Sequence, residues 1–245
     1  IDYGCLKMVM RWTMVATLLT VTLFSSLSPS ASQLVAGQRS EHTISVSDGA
    51  GGIATRHFIT HMPAEGRPRL VVLLLHGSTK HSNADELSPV RFLEDEIKGP
   101  GDLWGSKGAL LVFLAGRAVG GQGQFCWGAG IDNGLCTAPR EGAQDESFIF
   151  VVLEWLRLQQ VDGGSTPTYL YGHSGGGRMS WRAACNHTLA PRLAGVFATS
   201  ALLAAELRAT PTTCNVSTMP PIIITHGTRD TTTDITFADE SVTWT

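Results

Sequence analysis

This sequence has little excess charge of either sign: 18 Lys and Arg stand against 21 Asp and Glu, a net charge of −3. That balance excludes the basic excess that draws a chain to nucleic acid and the acidic excess of a solvating tail. Long apolar runs near the start are short too. The run from about Met14 to Phe24 falls well below the ~20 residues needed to span a bilayer. Neither an H-E-x-x-H pair nor paired C-x-x-C spacings occur, so the expectation is no metal and no organic cofactor. Gly120, Gly121 and Gly123 lack a following Lys-Ser/Thr, and no G-x-G-x-x-G opens a helix after a strand, which argues against a phosphate loop. Finally, of eight histidines none lies beyond His226.

What is present begins with an address. Residues 8–32, "MVMRWTMVATLLTVTLFSSLSPSAS", give Arg11, an apolar stretch, then small residues with Ser30 and Ser32 spaced for cleavage before Gln33. That is the order of a secretory signal peptide, so the expected location is extracellular, with no membrane contact after cleavage. Residues 1–7 precede the first methionine and read as translated upstream sequence. Cys126, Cys136, Cys185 and Cys214 remain after cleavage, and two disulfides fit an exported chain, with three pairings open. Asn186-His-Thr and Asn215-Val-Ser are N-glycosylation acceptors, each beside a cysteine.

The 245 residues then alternate between two kinds of segment. "HTISVSDG" and "ATRHFITHM" alternate apolar and polar residues like an antiparallel pair. "RLVVLLLHGS" (69–78) and "GALLVFLAG" (108–116) are continuous apolar runs, the pattern of strands buried on both faces. "PTYLYG", "RLAGVFATS" and "PPIIITHG" add three short strands. "SFIFVVLEWLRLQQ" (147–160) reads as an amphipathic helix, and 177–187 as helix-compatible. Segment 116–136 reads as a long irregular loop. Buried strands alternating with helices predict a mostly parallel sheet with helices on both faces, in one domain over 41–245.

Chemistry concentrates in "TPTYLYGHSGGGRMSW". Gly172-His173-Ser174-Gly175-Gly176 satisfies G-x-S-x-G between a strand and a helix, the context that gives the motif meaning. A nucleophilic serine there stands on a sharp, strained turn at a helix N-terminus, where free N–H groups favour negative charge. The Gly175 N–H is placed to hold an oxyanion. His173 adjoins the hydroxyl but, on so sharp a turn, points elsewhere; it is expected to pack beside the site or touch substrate. "LLLHGST" ends a buried strand and puts Ser78, with Thr79 next in order, where a second oxyanion N–H is needed. His76 precedes the nucleophile, the wrong order for a triad base. "PPIIITHGTRD" brings Asp230 to the same sheet edge as the triad acid, with Asp234 and Asp239 as rivals.

Together these residues resemble the secreted esterases grouped as poly(3-hydroxybutyrate) depolymerases and feruloyl or acetylxylan esterases, over about residues 43–240. "LVVLLLHGS" is similar to their oxyanion strand, "CWGAGIDNGLC" to their Cys-Trp loop, and "QDESFIFVVLEWL" to an Asp-containing segment before a helix. "LYGHSGGGRMSWRAAC" is similar to their nucleophile turn, and "PPIIITHGTRD" to their acid loop. The resemblance implies an α/β-hydrolase three-layer sandwich lacking its last strand and helix, with Ser174 as nucleophile, Asp230 as acid, and Ser78 with Gly175 as oxyanion donors. It also implies a Cys185–Cys214 bridge and, with it, Cys126–Cys136. The substrate it implies is a carboxylic ester, polyester or polysaccharide-borne. The alternatives are a lipase or serine peptidase of the same fold, or a non-catalytic binding module. The pattern departs in one respect: the triad histidine after the acid is missing, and is expected beyond Thr245.

Overall fold

In the computed structural model, the described residues are 34–47, 52–64, 67–80, 85–97, 107–119, 124–128, 142–159, 161, 165–201, 214 and 216–231. The leader at 8–32, Cys136, Asn215, Asp234 and Asp239 lie outside them. All described residues belong to one compact unit, Ser32–Thr245.

Two strands open the chain, β1 (Arg39–Ser47) and β2 (Ile53–His61), paired antiparallel from Arg39↔His61 to Ser47↔Ile53. Then come β3 (Leu70–Leu75), the two-residue β4 (Thr79–Lys80), helix α1 (Ser88–Ile97), β5 (Ala109–Leu114), β6 (Arg117–Val119) and β7 (Gln124–Cys126). Helix α2 (Gly142–Leu158), β8 (Thr168–His173), helix α3 (Gly175–Cys185), β9 (Gly195–Thr199) and β10 (Ile222–Thr225) follow. The seven-stranded main sheet runs β1-β2-β5-β3-β8-β9-β10. β2 meets β5 antiparallel; every pairing from β5 to β10 is parallel.

The apolar runs are buried on both sides, as their composition requires. Val71, Leu73 and Leu75 of β3 join Leu110, Val112 and Leu114 of β5 beneath α2 and α3, packed on Phe148, Ile149, Val152, Met179 and Ala183. Val72 and Leu74 point the other way with Leu111 and Phe113, under Leu87, Val90 and Leu93 at α1. Period-two alternation therefore distributes one strand's leucines to two cores. Helix, sheet and helix make three layers. The helix placement follows from connection handedness. The chain leaves β3 for β5 on one side through α1, then returns past β3 to β8 through α2. Right-handed crossovers in opposite directions put their helices on opposite faces.

That reversal also fixes where ligands can sit. β3 has β5 on one side and β8 on the other, so the crevice at the carboxyl ends of β3 and β8 is the switch point of the sheet.

Two elements differ from the sequence expectation. The segment after β5 is not wholly irregular: β6 and β7 pair antiparallel, and β7 also pairs with β4 through Thr79↔Phe125 and Lys80↔Gln124. The long helix starts at Gly142 rather than 147, which brings Asp145 into its first turn. Among the described residues no helix is long and apolar enough to cross a membrane.

Candidate active site

Ser174 stands between two kinds of backbone hydrogen bonding. Its N–H donates to the Thr199 carbonyl at 2.8 Å, continuing the β8–β9 ladder, while its own carbonyl accepts from Arg178 N–H at 3.1 Å, the first bond of α3. Strand must become helix within one residue, and Ser174 absorbs the change with φ 50° and ψ −115°. A non-glycine residue there carries strain of about 1–3 kcal/mol, and such strain is typical of functional turns. Ser174 is half-buried at the carboxyl-terminal edge of the sheet.

The neighbouring glycines are explained by close approach. A Cβ on Gly172 would lie 2.2 Å from the Gly176 carbonyl oxygen and 2.4 Å from Ser180 Oγ, itself bonded to that carbonyl at 2.9 Å. One on Gly175 would lie 2.5 Å from Ser78 Oγ and 3.2 Å from Ser78 N. The first turn of α3 thus presses directly on the residue that follows β3. Ser174, Gly175 and Ser78, singled out from separate stretches of sequence, are brought together at the switch point.

The chain before Ser78 is tightly held. His76 is 3% exposed. Its Nε2 accepts from Gly116 N–H at 2.8 Å, which leaves the proton on Nδ1 to donate to the Gly77 carbonyl at 2.6 Å. That carbonyl and the Ser78 N–H belong to one planar trans peptide and point in opposite directions. Fixing Gly77 O therefore fixes the direction of Ser78 N–H. The preceding peptide is held in turn by Trp127, whose indole Nε1–H donates to the His76 carbonyl at 2.8 Å. Thr79 continues into β4 and the small sheet.

Beside Trp127 lies a buried ion pair. Arg56 Nη1 donates to Asp145 Oδ1 at 2.7 Å, with the two side chains 4% and 1% exposed. Asp145 Oδ2 accepts from Gly128 N–H at 2.6 Å, and Arg56 Nη2 donates to the Ala115 carbonyl at 3.0 Å. The guanidinium lies 4.3 Å from the Phe148 ring centre and 6.0 Å from that of Trp127. Burial holds Arg56 below its ordinary value, opposed by the Asp145 carboxylate.

Asp230 follows β10, two strands from β8 and on the same edge. Its N–H closes a turn onto the Gly227 carbonyl at 3.1 Å, and its Oδ2 lies 3.4 Å from His226 Nε2. The register His173↔Thr199 and Thr225↔Thr199 puts the ends of β8, β9 and β10 level. His173 is exposed, and its Nδ1 would lie 3.0 Å from a Cβ on Gly77. Cys185 and Cys214 form a disulfide with Cα atoms 4.5 Å apart. Cys126 is also disulfide-bonded. Asn186, the residue after α3, accepts from the N–H groups of Thr188 and Leu189. Among the described residues no cluster of three His, Cys, Asp or Glu side chains could hold a metal ion.

Sequence reasoning placed the elbow but missed the roles of His76, Trp127 and Arg56. Their bonds span 40, 51 and 89 positions in the chain, and no local motif reports such distances.

No family model matches the sequence, and no curated protein matches it significantly. Solved structures do match. A cold-adapted esterase from an Arctic intertidal metagenomic library, bound to polyethylene glycol, is 17% identical, with a TM-score of 0.55 over 89% of this chain and 85% of that one. An alpha-beta serine hydrolase homologue from Coxiella burnetii is 15% identical, with a TM-score of 0.51 over 86% and 83%. The Pyrococcus furiosus esterase Pf2001 is 13% identical, with a TM-score of 0.52 over 86% and 82%. At such identities the likeness concerns architecture. A mostly parallel sheet between helical layers, with a strained serine at its switch point, gives this chain the α/β-hydrolase fold.

Proposed function

We propose that this protein is a secreted serine esterase that hydrolyses carboxylic esters through an acyl-enzyme on Ser174. The observation that carries the reading is the backbone of Ser174: φ 50° at a strand-to-helix turn, with Ser78 pressed against Gly175 beside it. Ser174 Oγ attacks the ester carbonyl and passes its proton to a histidine base. The N–H groups of Gly175 and Ser78 receive the developing oxyanion. The tetrahedral intermediate collapses, the alcohol leaves with the proton, and water then releases the acid and restores the hydroxyl. Asp230 orients that base. The resemblance of "CWGAGIDNGLC" and "QDESFIFVVLEWL" to their counterparts favours hydroxybutyrate polyester or feruloyl and acetyl esters of polysaccharide as substrate. The leader at 8–32 and the disulfides support export, and Asn186 is then open to glycosylation.

The test is labelling of the full-length protein with a fluorophosphonate, with turnover measured on aryl esters, feruloylated sugars, hydroxybutyrate oligomers and peptides. One label at Ser174 and ester turnover abolished in Ser174→Ala are expected. Absence of labelling supports a binding module instead, and faster cleavage of peptides than of esters a peptidase.

A further inference from the structure

The buried Arg56–Asp145 pair, on β2 and α2, bonds to the main chain at Ala115 and Gly128 rather than to Ser174, Gly175 or Ser78. Buried ion pairs contribute little net stability, because desolvating two charges offsets most of their attraction. Such a pair fits better as a device for fixing geometry, and its bonds show which geometry. Asp145 uses both oxygens, one on Arg56 and one on the main-chain N–H of Gly128. Gly128 follows Trp127, so the carboxylate holds the peptide that carries the indole. The indole N–H in turn fixes the His76 carbonyl, and the His76 ring, 5.3 Å from that of Trp127, fixes the Gly77 carbonyl. Each link is a single well-formed hydrogen bond between 2.6 and 2.8 Å.

We propose that Trp127, held by the Arg56–Asp145 pair through Gly128, is a positioning residue that aims the Ser78 N–H at the reacting oxygen. The inference rests on the esterase reading above. Two consecutive peptide planes, His76–Gly77 and Gly77–Ser78, are each clamped through their carbonyl. A hydrogen-bond donor aimed at a transition-state oxygen loses much of its effect on a small rotation, since the interaction weakens steeply with angle. Loosening the clamp therefore lowers stabilisation of the tetrahedral state more than binding of the planar ester.

The experiment replaces Trp127 by Phe in the full-length protein, which keeps a ring beside His76 and removes the N–H. Turnover is expressed per fluorophosphonate-labelled site, alongside KM, melting temperature, and affinity for an alkylboronic acid that forms a tetrahedral adduct on Ser174. Expected is a fall of about tenfold in kcat per labelled site, smaller than the ~10²–10³ for deleting a donor outright, with KM unchanged. Boronate affinity should weaken by a similar factor. A role in folding alone would lower the labelled fraction and the melting temperature while leaving turnover per site and boronate affinity at wild-type values; that result overturns the proposal. If W127F does not fold, incorporation of 3-benzothienylalanine at 127 keeps the ring volume with sulfur in place of N–H, and the same two outcomes apply. A wild-type protein that neither labels at Ser174 nor turns over esters overturns the esterase reading and this inference with it.

Discussion

An alanine at Gly176 would place its Cβ 2.4 Å from the Leu75 carbonyl oxygen and 2.6 Å from that of His76. Both are main-chain atoms of the segment that carries Ser78, so neither can rotate out of the way as a flexible side chain would. Relief requires the start of α3 to back off from the end of β3, which separates Gly175 from Ser78. Overpacking of this kind costs about 1–3 kcal/mol. Gly176→Ala should therefore lower the melting temperature and slow labelling of Ser174 together. Gly227→Ala is the contrasting change: the nearest described atom is 3.9 Å from its Cβ, and stability should stay within about 0.5 kcal/mol of wild type. The prediction fails if thermal melts rank the two variants alike.

At the level of elements, α3 is fastened at both ends. Its start is built into the elbow, and its last residue, Cys185, is bonded to Cys214 across a sequence separation of 29. A loop of that size is worth roughly 3–4 kcal/mol in the chain-entropy account. Replacing both cysteines by serine should lower the unfolding free energy by that order in a denaturant titration, with little change in turnover of the fraction still folded. Turnover falling in step with stability would mean the bridge shapes the site itself. The elements differ in how openly the sequence declares them. β3 and β5 are legible because strands buried on both faces must be apolar throughout, and β1 and β2 because their alternation marks an antiparallel pair. The elbow is legible because a serine among glycines between strand and helix has few other uses. β4, β6 and β7 are not: with two or three residues each, they exist through pairing with one another and carry no period of their own. The clamp behind Ser78 is likewise hidden, since His76, Trp127 and Asp145 meet only after three elements have folded around them. Asp145 belongs to a segment noticed for its resemblance, but nothing local names Arg56 as its partner.

For the molecule as a whole, acid should loosen the fold in two stages. His42 is buried in β1 against Phe58 and Trp155, with Nε2 at 2.8 Å from Thr60 Oγ1, and burial depresses it from 6.5 to about 4. Between those values the unfolded chain binds a proton that the folded chain refuses. Stability is therefore full above about pH 6.5 and declines as pH falls toward 4, by at most about 1.4 kcal/mol per unit from this group. Urea titrations across that range should show the decline, and His42→Phe should flatten it; an unchanged slope would place the sensitivity elsewhere. Lower still, Glu94 enters. Burial pushes it up, but hydrogen bonds from Arg39 and His61 outweigh this and hold it below its ordinary 4.5. Its contribution is present above that value and is lost as pH falls through the folded one, adding to the loss. The arrangement of the reactive centre has a further consequence for how the protein is born. Neither half of it lies near the other along the chain: one arrives with β3, the other with β8, and they meet only when those strands lie side by side with α2 closed over them. On the esterase reading, catalytic power would therefore be an all-or-nothing property of the finished molecule, and a nascent or half-assembled chain would carry no stray reactivity while it folds.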